Sequence, residues 1–274
     1  MEQDLRLRVY EYEMPVWNTT LMKLPFDHEN LHVYQVSISL VAWLEEVRPQ
    51  ITSTVAACDH LVRASSSVPV NIAEASGKRS MNARRQFIDT AYGSALECAA
   101  CLDILGILEC IELSVVNEGK GRLSHLVSML IGFRKATERM VCEEGMAYAS
   151  GADAKTNHVW FDHEKLDVYR KALELVSWCG RLQRGGFVSL STMNLLDKAS
   201  TGVVLNIAEG NGKFSRKDRI RFIDHARTAA LQAAANLDVL AVRQAKSRSD
   251  VADGKGLLAD AVRMLVAWER SLEE

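Results

Sequence analysis

Apolar residues recur along this chain at steps of three and four, the period of a helix with one buried stripe. The clearest run is Phe87, Ala91, Ala95, Cys98, Leu102 and Leu105, and it returns as Phe222, Ala226, Ala230, Ala233, Leu237 and Leu240. A stripe this narrow packs helices nearly side by side. Breaks in the pattern predict four helices in the first half: about Leu31 to Arg48, stopped by Pro49; about Ile51 to Gly77; Ser80 to about Glu112; and about Leu123 to Cys142. Asp27 is placed to cap the first and Pro69 to kink the second, while Asn117-Glu118-Gly119-Lys120-Gly121 reads as the turn before the fourth. Short connections between long amphipathic helices force antiparallel neighbours.

An internal repeat doubles this unit. Asn71-Ile72-Ala73-Glu74, followed by Gly77-Lys78, returns 135 residues later as Asn206-Ile207-Ala208-Glu209, followed by Gly212-Lys213. Phe26-Asp27-His28-Glu29 returns as Phe161-Asp162-His163-Glu164, Trp43 as Trp178, and Gly119-Lys120-Gly121 as Gly254-Lys255-Gly256. The register holds without a gap from Phe26 to the last residue. The expected fold is all-α, two tandem up-down-up-down four-helix bundles. An N-terminal arm (1–25) precedes bundle 1 (26–142), a linker (143–160) and bundle 2 (161–274). In bundle 2, Gly185-Gly186 opens the first turn, Ser215 begins the third helix, and Asp253-Gly254-Lys255-Gly256 turns into the fourth. Leu5-Arg6-Leu7-Arg8-Val9 in the arm alternates with period two, as a loosely ordered terminus or a strand added to a partner's sheet edge would.

Composition narrows the function classes. No run of eighteen apolar residues occurs, which argues against a membrane span. The acidic start (Glu2, Asp4) lacks the apolar region of a secretory signal. Cys98 and Cys101 form a Cys-x-x-Cys pair without a second pair, and become Ala233 and Asn236 in the repeat. Small buried thiols in a reducing cytoplasm are the expectation, and neither a metal nor another cofactor is. The Glu29-x-x-His32 spacing of a di-metal bundle occurs once, at a helix start, and its counterpart ends in Asp167. No nucleophile–base pair or phosphate loop occurs, so no enzyme is expected.

Charge separates the halves: residues 26–139 carry −2 and residues 161–274 carry +3. Lys213, Arg216, Lys217, Arg219, Arg221 and Arg227 crowd the turn into the third helix of bundle 2, and Lys78, Arg79, Arg84 and Arg85 stand at the matching turn of bundle 1. Such clusters can track phosphates, although an ordinary solvated helix face carries the same charges. Asn71 with Glu74, and Asn206 with Glu209, share a helical face as structural motifs. Pairing of Glu74 with Arg84, and of Glu209 with Arg219, would fix how the second helix meets the third.

The stretches Ser67-Val68-Pro69-Val70-Asn71-Ile72-Ala73-Glu74 and Arg85-Gln86-Phe87-Ile88-Asp89-Thr90-Ala91-Tyr92-Gly93-Ser94-Ala95-Leu96-Glu97 closely resemble the bacterial four-helix-bundle family of 23S ribosomal RNA intervening-sequence proteins. That family also includes the accessory variability determinant of diversity-generating retroelements. The resemblance covers both halves and implies up-down bundles without enzymatic activity, with rings of five in single-bundle members. For the retroelement branch it implies binding to nucleic acid and to a reverse transcriptase through a basic surface. Departures are Thr228-Ala229 for Gly93-Ser94, Gln232 for Glu97, and Ala75 where Gly210 keeps the usual glycine. A ring of five fits awkwardly with a chain that supplies two positions, so the two bundles pair with each other, build something larger, or the second has left the ring. The functional expectation is an oligomerising adaptor for structured RNA or an RNA-handling protein, with a protein-only scaffold using the arm and helix faces as the alternative.

Overall fold

A computed structural model describes residues 26–52, 55–139, 159–184, 190–242 and 248–273. Among them are eight α-helices and no strand: α1 (His32–Val47), α2 (Ala56–Gly77), α3 (Met81–Ile107), α4 (Leu113–Arg139), α5 (Asp167–Arg184), α6 (Leu190–Asn211), α7 (Arg216–Val242) and α8 (Arg248–Glu273). In each half, consecutive helices pack on one another and the fourth closes onto the first, as tandem four-helix bundles require. The arm, most of the linker and the Gly185-Gly186 turn lie outside the described residues.

The predicted stripe forms the spine of each bundle. Ala91, Ala95, Cys98, Leu102 and Leu105 are buried on α3, as are Ala226, Ala230, Ala233, Leu237 and Leu240 on α7. Phe87 and Phe222 stand at the margin, each with a lysine, Lys78 or Lys213, 4.6 Å over its ring. Ser80 caps α3 by accepting from the Ala83 amide, and Ser215 caps α7 by accepting from that of Asp218. α2 runs unbroken through buried Pro69.

Three local expectations are corrected. Asp27 does not cap α1: it opens a 3-10 turn, Asp27–Asn30, and α1 begins after Leu31 with no side-chain cap. The second helix starts at Ala56, because Arg48–Gln50 forms a separate 3-10 turn after α1. Asn117–Gly121 is not a turn but lies inside α4, and Asp253–Gly256 lies inside α8. The glycines there serve packing. A Cβ on Gly119 would stand 2.5 Å from the Trp43 ring and 2.6 Å from Leu102, and one on Gly254 would stand 2.5 Å from Trp178. The reversal after α3 is made at Glu109, whose φ is 58°. There Cys110 N donates to Leu105 O (2.9 Å) and Glu109 N to Gly106 O (3.0 Å), a paired closure that satisfies the last carbonyls of the helix.

The bundles share one continuous hydrophobic core. α3 packs across the boundary on α5 and α6, and α2 packs on α6. α3 is therefore covered nearly all round: Leu96, Ala99, Ala100, Cys101 and Ile104 are buried besides the predicted stripe. It is long and apolar enough to cross a membrane, yet 67% of its most apolar stretch is buried in protein.

Candidate functional site

The two basic turns divide into cations that hold the fold together and cations that face solvent. Glu74 pairs with Lys78 at 3.3 Å and Glu209 with Lys213 at 2.9 Å, one helical turn on, so the expected pairing with Arg84 and Arg219 does not form. Arg84 instead donates to the carbonyls of Ala75 and Lys78, both at 3.2 Å, and Arg219 donates to that of Lys213 at 2.9 Å. Each guanidinium thus binds backbone carbonyl oxygen at or just beyond the end of the preceding helix. Arg85 donates to Asn82, and Arg227 bridges Asp224 and Glu269. Arg221 lies 3.6 Å from Asp218 and over the Phe222 ring. Arg79, Arg216 and Lys217 remain exposed.

The paired asparagines hold their own helices. Asn71 Nδ2 donates to the Ser67 carbonyl (2.8 Å) and hydroxyl (3.0 Å), and Asn206 Nδ2 to the Gly202 carbonyl (2.7 Å). Ser94 Oγ reaches Ser67 Oγ at 2.8 Å, which ties α3 to α2 through the same network.

Residue spacing holds no hint of the polar centre between the bundles. Lys120 Nζ, nearly buried on α4, donates to Asp103 Oδ1 of α3 at 2.6 Å and lies 3.0 Å from Glu164 Oε1 of the second bundle. Tyr169 on α5 donates its hydroxyl to the other Asp103 oxygen. Burial, followed by the nearby Asp103 charge, holds the Tyr169 phenol well above its ordinary range. Burial also raises the Glu164 carboxyl, against the pull of Lys120. Asp103, His163 and Glu164 each present a ligand atom within 4.8 Å of the others. The lysine ammonium already pairs with both carboxylates, so the chain supplies the positive charge of this cluster itself.

Each Phe-Asp-His-Glu motif builds an aromatic clasp around its histidine. His163 stacks on Phe161 (5.5 Å between ring centres) and meets Tyr169 edge-on (4.7 Å); His28 repeats this with Phe26 (5.7 Å) and Tyr34 (4.7 Å). The motif glutamate closes each clasp by accepting a backbone amide, Phe26 N for Glu29 and Trp160 N for Glu164. The five cysteines among the described residues are reduced thiols; burial pushes Cys98 and Cys101 up, and Cys179 up to about 12.

Elsewhere along the boundary, Phe214 packs on Tyr92 (5.3 Å between centres) and under the Arg134 guanidinium (4.0 Å), and the Ala56 amide donates to Asp197 at 2.7 Å. Gly212 fits against Leu96 and Tyr92, and Gly93 against Lys213. At this boundary α2, α3 and α4 of the first bundle meet the lead-in turn, α5 and α6 of the second.

A search of the curated proteins found no match, and neither did a search of the solved structures. A family model described as 23S rRNA-intervening sequence protein matches residues 29–132 and 164–267, one bundle each and together well over half of the chain. The chain therefore belongs to the 23S rRNA-intervening sequence protein family and carries its domain twice.

Proposed function

We propose that this chain is a non-catalytic helical adaptor that holds structured RNA, or an RNA-handling protein such as a reverse transcriptase bound to its RNA. The family's association with ribosomal RNA insertions supports an RNA-related role. One observation carries the choice of surface: Arg216 and Lys217 stand exposed in the first turn of α7 without an ion pair among the described residues. The open amides of that helix end add partial positive charge. The half-exposed Phe214 of the same turn is engaged with Tyr92 and Arg134, so contact goes to phosphate and shape and not to base edges.

Fluorescence anisotropy with a stem-loop RNA, repeated across salt concentrations, tests this. The double variant Arg216→Glu, Lys217→Glu is expected to bind roughly tenfold or more weakly and to flatten the salt dependence by about 0.9 for each phosphate no longer neutralised. Binding by the variant equal to that of the wild type overturns the assignment. The protein-only scaffold is favoured by a different observation, the exposed apolar side chains Leu231, Val239 and Val242 on α7. Under that reading the wild-type chain shows no salt-dependent RNA binding at all.

A further inference from the structure

The turn that leads into Arg216 and Lys217 has a counterpart in the first bundle, and only the second-bundle copy is seated on a neighbour. Phe214 stands where the first bundle has Arg79. Its ring packs on Tyr92 of α3 (5.3 Å between centres) and under the Arg134 guanidinium of α4 (4.0 Å). That guanidinium is fixed in turn, with Nε 2.7 Å from Asp89 Oδ1. The close fit continues beside the ring. A Cβ on Gly212 would overlap Leu96 and stand 2.9 Å from Tyr92, and one on Gly93 would stand 2.8 Å from Lys213 Nζ. At the matching turn of the first bundle, a Cβ on Gly77 would meet nothing within 4 Å among the described residues.

The backbone of the seated turn is held on either side of Phe214. Lys213 N donates to Gly210 O at 3.2 Å, the Lys213 carbonyl accepts from Arg219 at 2.9 Å, and Ser215 caps α7. Phe214, between Lys213 and Ser215, is anchored by its side chain to the other bundle, and Arg216 and Lys217 follow directly after the cap. A cation on a turn already held loses less freedom when it meets a phosphate, because the ordering has been done before binding.

We propose that bundle 1 positions the nucleic-acid contact of bundle 2, and that Phe214 is the positioning residue. This rests on the RNA reading above and adds that affinity depends on the docking of the two bundles as well as on charge. Phe214 touches no phosphate itself. It sets where α7 begins, so that Arg216, Lys217 and the open amides of that helix end meet the RNA backbone together.

Anisotropy with the stem-loop RNA across salt concentrations, on the full chain, tests this. Phe214 is 46% exposed, so its truncation does not empty the core. Phe214→Ala leaves every charge in place and is expected to bind about three- to tenfold more weakly, the cost of ordering the turn on binding. Its salt slope is expected to match that of the wild type, since the same phosphates are neutralised. Phe214→Tyr keeps a ring under Arg134 and is expected to bind as the wild type does. Tyr169→Phe weakens the same boundary through a different contact and is expected to lower the Tm with RNA affinity unchanged. Wild-type affinity in Phe214→Ala, alongside weak binding by Arg216→Glu with Lys217→Glu, overturns the proposal and leaves the RNA reading standing. Phe214→Tyr as weak as Phe214→Ala also overturns it. So does an equal loss of affinity in Tyr169→Phe, which would reduce Phe214 to a stability role. A wild type without salt-dependent RNA binding removes the RNA reading and the proposal together.

Discussion

Tyr169 of the second bundle donates its hydroxyl to Asp103 of the first across 2.8 Å, and Asp103 takes the Lys120 ammonium on its other oxygen. Two helices of one bundle and one of the other are therefore fixed by a single carboxylate.

Removing the two donors has unequal consequences. Tyr169→Phe leaves Asp103 its lysine and is expected to cost about 1–3 kcal/mol, the penalty of an unmade buried hydrogen bond. Lys120→Met leaves Asp103 and Glu164 enclosed without a counter-charge, and about 3–5 kcal/mol is expected. Urea unfolding of both variants gives the order; equal losses would mean the ammonium is not needed to offset the two carboxylates.

Glycines inside helices separate by what stands above them. Gly119→Ala would push a methyl into Trp43 and Leu102, and Gly254→Ala would push one into Trp178. A loss of about 1–3 kcal/mol is expected for each. Gly202→Ala meets only the Ala229 Cβ at 3.4 Å, an ordinary contact. Within α6 it is expected to gain roughly 0.5–1 kcal/mol from helix propensity. Thermal melts that rank the three alike would contradict the packing described for Trp43 and Trp178.

His163 predicts an acid-sensitive fold. Burial first, then Lys120, against the opposing pull of Asp162, lowers its pKa from 6.5 to about 3, and neither ring nitrogen has a hydrogen-bond partner among the described residues. The unfolded chain takes up this proton near its ordinary pKa while the folded chain refuses it. Stability is thus complete above about pH 6.5 and falls with acidification, by up to about 1.4 kcal/mol per pH unit. Glu164, raised by burial, acts in the opposite sense but within the carboxylate range, at lower pH. Unfolding midpoints between about pH 7 and 5 should decline for wild type and much less for His163→Leu; a flat wild-type profile would show the ring reaches solvent.

The arginines of the basic turn separate by role. Arg219→Ala removes the donor to the Lys213 carbonyl and is expected to lower stability by about 1–2 kcal/mol, with RNA affinity of the folded fraction little changed. Arg216→Ala is expected to do the converse. Paired melting and anisotropy measurements on the two variants make the comparison.

Much of this molecule was legible in its sequence because the repeat and the 3.6-residue period are local signals. Ala91 through Leu105, the caps Ser80 and Ser215, and the family itself were readable in that way. The glycine-rich Asn117–Gly121 misled because its purpose lies across the bundle, in a Trp43 that stands far off in sequence. Arg84 and Arg219 look the same as Arg216 in any count of charge; only the position of helix-end carbonyls tells them apart. Lys120 and Glu164 lie in repeated phrases, but nothing along the chain joins Asp103 and Lys120 to Glu164 and Tyr169, since that proximity is created by the docking of one half on the other. Leu96 and Leu231 are the same letter at matching places, and their different exposure is a property of what lies beside them.

The tether between the halves sets how firmly their joint holds. Joints inside a chain feel an effective concentration set by the connecting segment, whereas joints between chains feel only the bulk. Proteolysis between the halves would therefore leave their joint to hold at bulk concentration, and dilution of the cut protein would part bundles that the intact chain keeps together.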